Sequence, residues 1–506
     1  MRVSFLTPPS FSHRQPAERS AGCTRVVVPT PNIYELTLAA TVRRDTGAEI
    51  SLDDFTVGRS PYRQFATFAE NHDCDIIFIW SVNLSYDDDI QALSILRRHN
   101  SRLPVIFAGP GPTWAPRRYL HDIFTYVLRA EPETTACALV RALDSTEENI
   151  QRIFSEKNND HHARWRRSQF FESSILKITG LSWCDENGIV HDNPSRPPND
   201  RLDDLPFAAR DLIADRTYRN PKLKTGPYTT AFTSRNCPYH CIFCVPSSLS
   251  FAREIEHRNN HGCKPPVGFR SVESISMEMD QIALQGYRAV GFTDDNFIWN
   301  EQRTAAICSI MRRHKLIWGC QARADAITPA IAEMLARSGC RYIDLGVESF
   351  DDRILEYIKK GITADRIRQA IHDLADAGIQ VKLNVLIGSS PLETTTTVGH
   401  TLREVRRLPV DQIMINIVSP FPGTEFHRLC MENGWIDGGR YIPTDVQRHS
   451  ILRLPHLTPR QMERMLFCNN LRYFMSWRFI SRQVVRFRSA ADFIHALKAL
   501  KIKLFG

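Results

Sequence analysis

Short apolar segments alternate with helical patterns along the first part of the chain. Runs rich in Val, Ile, Leu and Phe predict strands at residues 3–6, 48–52, 75–80, 104–108 and 126–128. Between them, apolar positions spaced by three or four residues predict helices, of which the clearest are 31–44 and 88–98. Continuous apolar strands separated by helices are typical of a parallel sheet covered on both faces. Residues 1–145 are therefore predicted to form an α/β domain with a doubly wound parallel sheet.

The same alternation returns after residue 226. Strand-like runs lie at 228–234, 289–294, 318–323, 342–348, 381–388 and 412–419, with helical patterns between them. Turn signals such as Ser338-Gly339 end the helices. Six such units predict a partial (β/α)6 barrel over residues 226–440, and in barrels of this type chemistry gathers at the carboxyl ends of the strands.

Two further regions complete the predicted organisation. Residues 146–225 are predicted to be a connector, and its charged stretch at 147–169 is interpreted as a solvated insertion rather than a nucleic-acid-binding arm. The runs 178–183 and 188–191 flank Glu186-Asn187-Gly188, which predicts a hairpin. Residues 441–506 are predicted to be a C-terminal helical region.

Composition narrows the class of protein. A chain of 506 residues suits two or three domains with sizeable cores. Its 13 cysteines are odd in number and irregularly spaced, which speaks against a secreted disulfide scaffold and favours a reducing, cytoplasmic setting. No run approaches the ~18 apolar residues that a membrane-spanning helix needs. The net charge of +8 is modest for this length and selects no class of partner by itself.

Three cysteines carry the most specific signal. Cys237, Cys241 and Cys244 have the spacing Cys-x3-Cys-x2-Cys and directly follow a predicted strand. Three thiolates can bind three irons of a 4Fe–4S cluster, and the fourth iron then stays open for a small molecule. The alternative is a zinc site with His240 as the fourth ligand, but four ligands within eight residues are tight for a tetrahedron.

This motif resembles that of the radical S-adenosylmethionine (radical SAM) superfamily. The resemblance implies that SAM binds the open iron and that its reductive cleavage releases a 5′-deoxyadenosyl radical. It also implies a SAM-binding set at the strand ends. That set comprises Phe243 beside the adenine, Asp294, Asp295 and Asn296 in a Phe-x-Asp-Asp-Asn-Phe segment, Glu348 and Ser349 in a Gly-x-Glu-Ser segment, and Gly388. Arg323, at the end of the third predicted strand, is a further candidate for cofactor binding, because its charge suits a carboxylate or an acidic substrate. For Asp294 to Asn296 the alternative is a helix cap and loop.

One loop departs from the family's sequence pattern, and another matches it. Relatives read Gly-Leu-Pro-Gly-Glu-Thr after the fifth strand, whereas residues 388–394 carry one extra residue and lack the second glycine, so a different loop shape is expected. Residues 420–424 read Pro-Phe-Pro-Gly-Thr, as in cobalamin-linked members.

The first 145 residues resemble the flavodoxin-like cobalamin-binding domain that precedes many radical SAM enzymes. The resemblance places cobalamin at the carboxyl ends of the strands, near Pro8, Ser81, Gly109 and Glu131. The cobalt-ligating motif Asp-x-His-x-x-Gly is missing, as is common in this subgroup. Ala130 and Pro132 replace the glycines of a Gly-Glu-Gly-Glu segment, which restricts the backbone. The alternative is a domain that only packs.

These features predict a cobalamin-dependent radical SAM enzyme, similar to the anaerobic magnesium-protoporphyrin ester cyclase and hopanoid-biosynthesis subgroup. The predicted reaction is methylation of an unactivated carbon in a small-molecule or lipid-like substrate, with flavodoxin or ferredoxin as electron donor and no nucleic acid. Radical oxidation or cyclisation without methyl transfer is an alternative, as is a non-catalytic metal-binding protein. Methylthiolation of tRNA is disfavoured because Cys23, Cys74 and Cys137 are widely separated.

An amphipathic pattern near the C-terminus bears on what this part of the chain contacts. Between residues 471 and 488 one helical face is apolar, and arginines lie beside it. The apolar positions are Phe474, Trp477, Ile480, Val484 and Phe487, and the arginines are Arg478, Arg482 and Arg486. We favour a helix that packs on the barrel. Peripheral contact with an anionic membrane is the alternative.

Overall fold

Two α/β domains follow one another along the chain. The computed structural model describes residues 1–11, 15–21, 24–25, 28–57, 60–155, 174–214, 218–223 and 225–476, with the backbone alone over 146–155. The part of the C-terminal pattern from Trp477 onward, and most of the charged insertion, lie outside these residues. Within them, no helix is both long and apolar enough to cross a membrane.

The first domain is built on parallel strands in the order β2-β1-β3-β4-β5. Its strands are β1 (Arg2–Thr7), β2 (Glu49–Asp54), β3 (Ile76–Trp80), β4 (Val105–Ala108) and β5 (Thr125–Leu128). Its helices are α1 (Ile33–Thr46), α2 (Pro61–Asn71), α3 (Tyr86–His99), α4 (Pro110–Trp114) and α5 (Glu133–Ser155). The predicted doubly wound sheet is confirmed, and its strand order is that of flavodoxin-like folds.

The predicted hairpin belongs to this sheet. Strands β6 (Leu181–Cys184) and β7 (Val190–Asp192) pair antiparallel with each other, and β6 pairs antiparallel with β5. The hairpin thereby supplies partners for the backbone N–H and C=O groups of β5, which would otherwise form an open edge. Helix α5 continues past residue 145 to Ser155. The first structural unit therefore reaches into the segment predicted to be a connector.

The second domain contains six parallel strands in sequence order. They are β8 (Tyr228–Ala231), β11 (Ala289–Phe292), β12 (Ile317–Arg323), β13 (Cys340–Glu348), β14 (Gln380–Ile387) and β15 (Gln412–Ile417). A short antiparallel pair, β9 (Ser234–Arg235) and β10 (Gly268–Phe269), lies beside them. The outer strands β8 and β15 do not pair with each other, so the predicted partial barrel is confirmed.

Helices cover the outside of this sheet. They are α6 (Ser248–His261), α7 (Val272–Leu284), α8 (Glu301–Arg313), α9 (Pro329–Arg337), α10 (Asp352–Tyr357), α11 (Ala364–Asp376), α12 (Thr395–Arg407), α13 (Glu425–Glu432) and α14 (Pro459–Phe474). Alternate strand residues such as Val381, Leu383 and Val385 are fully buried against them, whereas the intervening positions are partly exposed. This alternation leaves one face of the sheet for the barrel interior.

The carboxyl edge of the first sheet packs on the second domain. The Tyr34 ring stacks on Trp80 with centroids 6.0 Å apart, and the Trp80 indole N–H donates to Ser248 Oγ at 3.0 Å. Tyr34 also donates to the carbonyl of Thr293 at 3.3 Å. Tyr34, Trp80, Phe232 and Leu249 belong to one buried apolar cluster, so the two domains share a core.

Candidate active site

The three predicted metal ligands lie on a short loop between β9 and α6. Cys237, Cys241 and Cys244 are all partly exposed. Burial raises the pKa of Cys237 to about 11 and that of Cys244 well above its ordinary value, and the neighbouring thiols raise both further. Such thiols become ligands only when a bound cation offsets the charge of the thiolates. The loop therefore fits a metal centre by its donor set of three thiols.

The alternative to a cluster is a zinc ion with His240 as its fourth ligand. Among the described residues, no three His, Cys, Asp or Glu side chains lie close enough to share one metal ion. His240, the fourth ligand of the zinc alternative, is exposed to solvent. A multi-iron cluster spreads its thiolates around several metal atoms, whereas zinc gathers all four ligands at about 2.3 Å or less.

Asp295 joins the two ends of the cysteine loop. One carboxylate oxygen accepts the backbone N–H of Asn236 at 3.1 Å, and the other accepts the backbone N–H of Ser247 at 2.6 Å. These two residues flank the segment 237–246 that carries the three thiols. In this structure, the carboxylate predicted to bind SAM therefore joins the two ends of the cysteine loop through hydrogen bonds.

Asp294 holds the strand that leads into the loop. Its carboxylate accepts the Thr233 backbone N–H at 3.0 Å, the Thr233 hydroxyl at 2.6 Å and the Ser234 hydroxyl at 2.7 Å. Burial raises the pKa of Asp294 to about 6, while these hydrogen bonds oppose the shift. Thr233 separates β8 from β9, so the single predicted strand at 228–234 is divided where Asp294 binds the backbone.

Asn296 completes the acidic segment in the interior. Its side-chain N–H donates to the carbonyl of Ile298 at 3.0 Å. Its Oδ1 is buried and has no hydrogen-bond partner among the described residues. A buried acceptor without a partner is costly, so this oxygen is available to a ligand donor.

Two cations contact Tyr239 inside the cysteine loop. The Arg323 guanidinium lies 3.5 Å from the centroid of the Tyr239 ring, and its Nη1 is 4.0 Å from Cys241 Sγ. Lys264 donates to the Tyr239 carbonyl at 2.7 Å and pairs with Glu254 at 3.1 Å. Arg323 was predicted at this edge, whereas Lys264 has no motif that would reveal it. Both place positive charge next to the thiols.

Glu348 lies at the end of β13 in a strained backbone conformation. Its φ is +67°, which is uncommon for a residue with a side chain. Its carboxylate is buried and pairs with Lys360 Nζ at 2.9 Å. The pair occupies the space over Gly346, where an added Cβ would lie 2.9 Å from both charged groups. Strain of this kind is typical of functional positions.

Two other predicted residues contact helices of the barrel. The Ser349 hydroxyl lies 3.2 Å from the Thr401 hydroxyl of α12 and accepts the Asp351 backbone N–H at 3.1 Å. Phe243 is partly buried against the barrel core. Ser349 is therefore engaged in packing, and the ring of Phe243 keeps an accessible part.

The loop after β14 is closed by its own carboxylate. Glu393 accepts the backbone N–H of Gly388 at 2.7 Å and that of Ser389 at 2.8 Å, and burial raises its pKa. Gly388 has φ +83°, and an added Cβ would lie 2.6 Å from the sulfur of Met462. Glycine is therefore required at 388 by backbone and space.

The residues predicted near cobalamin lie at the carboxyl edge of the first sheet, where the domains meet. Pro8, Ser81 and Gly109 are buried, and Ser81 Oγ donates to Asp89 at 2.5 Å. Glu131 is also buried, and both of its oxygens are bound by protein groups, as described below. Protein atoms thus surround all four residues in this structure.

An open cleft lies beside them at the ends of β1 and β2. Its lining includes Thr7, Ser20, Asn32 and Asp54. Ser20 Oγ and Asn32 Nδ2 are buried without hydrogen-bond partners among the described residues. These two polar atoms are therefore available to a polar ligand.

The cysteines of the disfavoured methylthiolation reading do not meet. Cys74 Sγ contacts the His72 ring at 3.2 Å, and Cys137 Sγ contacts the Thr41 carbonyl at 3.8 Å. Cys23 lies outside the described residues. The described pair therefore shares no site.

Comparisons with known proteins agree with the fold and the cysteine loop. Residues 232–403 match the radical SAM superfamily. An uncharacterised methyltransferase of Pyrococcus horikoshii is 25% identical over 474 residues, covering 92% of this chain and 91% of the relative. The cytidylyl-2-hydroxyethylphosphonate methyltransferase of Streptomyces wedmorensis is 21% identical, covering 61% of this chain and 62% of its own.

Two solved structures share the two-domain fold. The cobalamin-dependent SAM radical enzyme OxsB, with aqua-cobalamin and SAM bound, has a TM-score of 0.67 and 14% identity, covering 100% of this chain and 71% of its own. The methyltransferase TsrM of Kitasatospora setae, with cobalamin and a 4Fe–4S cluster bound, has a TM-score of 0.61 and 17% identity, covering 87% of this chain and 79% of its own.

Proposed function

Because residues 232–403 match the radical SAM superfamily, we propose that the chain is a cobalamin-dependent radical SAM methyltransferase. The observation that carries the proposal is the loop with Cys237, Cys241 and Cys244 at the carboxyl edge of a six-stranded parallel sheet. Three protein thiolates leave one iron of a 4Fe–4S cluster open. When bound there, SAM supplies the 5′-deoxyadenosyl radical after one-electron reduction of the cluster.

The residues around the loop serve this chemistry by charge and position. Arg323 and Lys264 bring positive charge to a thiolate-rich cluster, which favours its formation and its reduction. Asn296 Oδ1 has no hydrogen-bond partner within the described part of the chain, and Glu348 is a buried carboxylate. Both suit the ammonium and ribose hydroxyl groups of SAM.

Cobalamin, when bound, supplies the methyl carrier between SAM and substrate. The cleft at Ser20 and Asn32 supports such a cofactor through its unpartnered polar atoms. The predicted contacts at Pro8, Ser81, Gly109 and Glu131 stay predictions. The names of the methyltransferase relatives support methyl transfer over oxidation or cyclisation.

The proposed substrate is a small molecule that receives the methyl group in place of hydrogen on an unactivated carbon. The structural neighbour TsrM has been solved with tryptophan as its substrate, which supports a small-molecule class. A flavodoxin or ferredoxin is the proposed electron donor. We propose a reducing cytoplasmic location, because the cluster requires it.

The test is anaerobic reconstitution followed by product analysis. Wild type with iron, sulfide, cobalamin, SAM and reductant is expected to form 5′-deoxyadenosine and, with substrate, S-adenosylhomocysteine. Cys241→Ser is expected to lose cluster and both products, whereas Cys263→Ser, at an exposed cysteine, is expected to retain them. Intact SAM in fully loaded wild type would contradict the enzyme proposal. Formation of 5′-deoxyadenosine without S-adenosylhomocysteine would favour oxidation or cyclisation.

Protein produced with cobalamin supplied tests the first domain. Corrinoid absorbance bands that stay with the protein through gel filtration are expected. A spectrum without these bands would make the first domain a packing domain.

A further inference from the structure

A buried ion cluster joins the two domains next to the cysteine loop. It consists of Glu131 and Glu133 from the first domain and Arg235 and Arg253 from the second. Arg235 donates to Glu131 at 2.6 Å through Nη1 and to Glu133 at 2.6 Å through Nη2. Arg253 Nε lies 3.3 Å from the second oxygen of Glu131. All four side chains are at most 6% exposed.

The cluster balances its own charge. Two carboxylates face two guanidinium groups, and Arg235 Nε is buried without a hydrogen-bond partner among the described residues. Because Arg235 has been removed from water, its charge depends on the two carboxylates. Arg253 Nε likewise has no hydrogen-bond partner among the described residues, so Arg253 is joined to Glu131 as a charge pair, whereas Arg235 is hydrogen-bonded to both carboxylates of the other domain.

One arginine contacts the residue before the first thiol, and the other directly precedes that residue in the chain. Arg235 is two positions ahead of Cys237, and Arg253 Nη1 donates to Asn236 Oδ1. Asn236 has φ +71°, a left-handed conformation that asparagine adopts more readily than most residues with a side chain. Its Nδ2 donates to the Ser250 carbonyl at 3.1 Å. The side chain of Asn236 is thus fixed at both ends, and the direction of the chain into Cys237 follows from it.

We propose that Glu131 and Glu133 are positioning residues for the cysteine loop. They hold Arg235 and Arg253, which fix Asn236 and therefore the place of Cys237. The inference rests on the proposed function only in taking Cys237 as a cluster ligand. It gives the first domain a role in building the iron–sulfur centre that does not depend on whether cobalamin is bound.

The chain offers a matched control across the same interface. Arg129 of the first domain pairs with Glu256 of α6 at 3.0 Å, and both side chains are buried. This pair joins the two domains but touches neither Arg235 nor Asn236 among the contacts of the described residues. Removing it weakens domain contact without releasing the loop.

The experiment compares full-length Glu131→Gln/Glu133→Gln with Glu256→Gln and wild type. Each protein is reconstituted anaerobically with iron and sulfide. A chelator is then titrated in, and the iron that stays bound per chain is measured. The double variant is expected to bind iron about 10-fold more weakly, the lower end of the effect of removing groups that orient metal ligands. Its reduced cluster is expected to show an altered electron paramagnetic resonance spectrum. Glu256→Gln is expected to match wild type in both.

Each outcome decides the proposal. A double variant that binds iron as tightly as wild type, with the same spectrum, would overturn it, and so would an equal loss in Glu256→Gln. If the double variant does not fold by circular dichroism, Glu133→Gln and the charge-conserving Glu133→Asp decide instead, with the loss expected in the first and smaller in the second. Wild type that loads iron but leaves SAM intact would refute the proposed function while leaving this inference open to the same comparison.

Discussion

Both domains have an edge formed by the carboxyl ends of parallel strands, but the side chains at the two edges differ in exposure and in hydrogen bonding. In the second domain this edge carries three partly exposed thiols and a buried Asn296 oxygen that has no partner among the residues the structure describes. In the first domain, Ser81 is fully buried and Glu131 is bound by two arginines. Topology therefore locates an edge where ligands bind, and side-chain chemistry decides what that edge does.

The difference also separates two uses of carboxylates. Glu348 at the second edge is paired with one lysine of its own domain. Glu131 at the first edge reaches across the interface and is shared by two cations. The first arrangement leaves a group at a barrel mouth, whereas the second joins domains. Variants at each edge should show this difference.

The largest effect is expected at the Lys360–Glu348 pair. Lys360→Met leaves the buried Glu348 carboxylate without its cation, which costs about 3–5 kcal/mol of folding free energy. Anaerobic thermal unfolding of the protein without cofactors measures this loss.

The double variant Glu348→Gln/Lys360→Met separates stability from ligand binding. It removes both charges and is expected to recover most of the stability. If Glu348 contacts SAM, the double variant keeps a raised KM for SAM despite its recovered stability. Recovery of both quantities would assign Glu348 to structure alone.

A second effect concerns the pH dependence of Asp294. Burial raises its pKa to about 6, above the ordinary value of 3.8, so the folded state binds the proton more tightly than the unfolded state. Its contribution to stability is therefore present at low pH and is lost as the pH rises through about 6. The shift corresponds to about 3 kcal/mol.

Asp294→Asn provides the comparison. The urea midpoint of wild type relative to the variant is expected to fall between pH 4.5 and pH 7, because only wild type acquires the buried charge. Parallel pH profiles of the two proteins would contradict a raised pKa at this position.

Much of the fold follows from the sequence because it depends on local periodicity. Buried strands such as Ile76–Trp80 are continuous apolar runs, and all six predicted barrel strands are present. The break at Thr233 was not predicted, since it arises from hydrogen bonds to Asp294, 61 positions away. Contacts at such separations leave no local pattern.

The site divides in the same way. The thiol spacing and the position of Asp295 after a strand are visible in the sequence. That Asp295 binds Asn236 and Ser247 is not, because it depends on how two strand ends meet. Likewise, Arg235 lies 104 positions from Glu131, and no motif links them. Sequence reasoning therefore found the loop and missed most of what holds it.

A third prediction tests the two hydrogen bonds of Asp295 at the carboxyl edge of the second domain. Asp295→Asn keeps one acceptor oxygen for two backbone N–H groups, so either Asn236 or Ser247 loses its partner. An unsatisfied buried donor costs about 1–3 kcal/mol, and we expect this cost to destabilise the cysteine loop. Faster release of iron to a chelator is the expected result. Asp352→Asn, which caps Ala364 away from the loop, is the control and should release iron as wild type does.

The smallest effect is expected at the carboxyl edge of the first domain. Ala130 has φ +58°, where a side chain costs about 1–2 kcal/mol, and its N–H donates to Thr113 Oγ1 at 3.1 Å. Glycine removes this strain but loses about 0.5–1 kcal/mol through the greater freedom of the unfolded chain. Ala130→Gly should therefore stabilise the protein by about 1 kcal/mol or less in urea unfolding. Ala136→Gly, inside helix α5, should destabilise it by about 1 kcal/mol or more. Equal destabilisation by both would show that residue 130 is held by its methyl contacts, and that packing outweighs backbone strain at this edge.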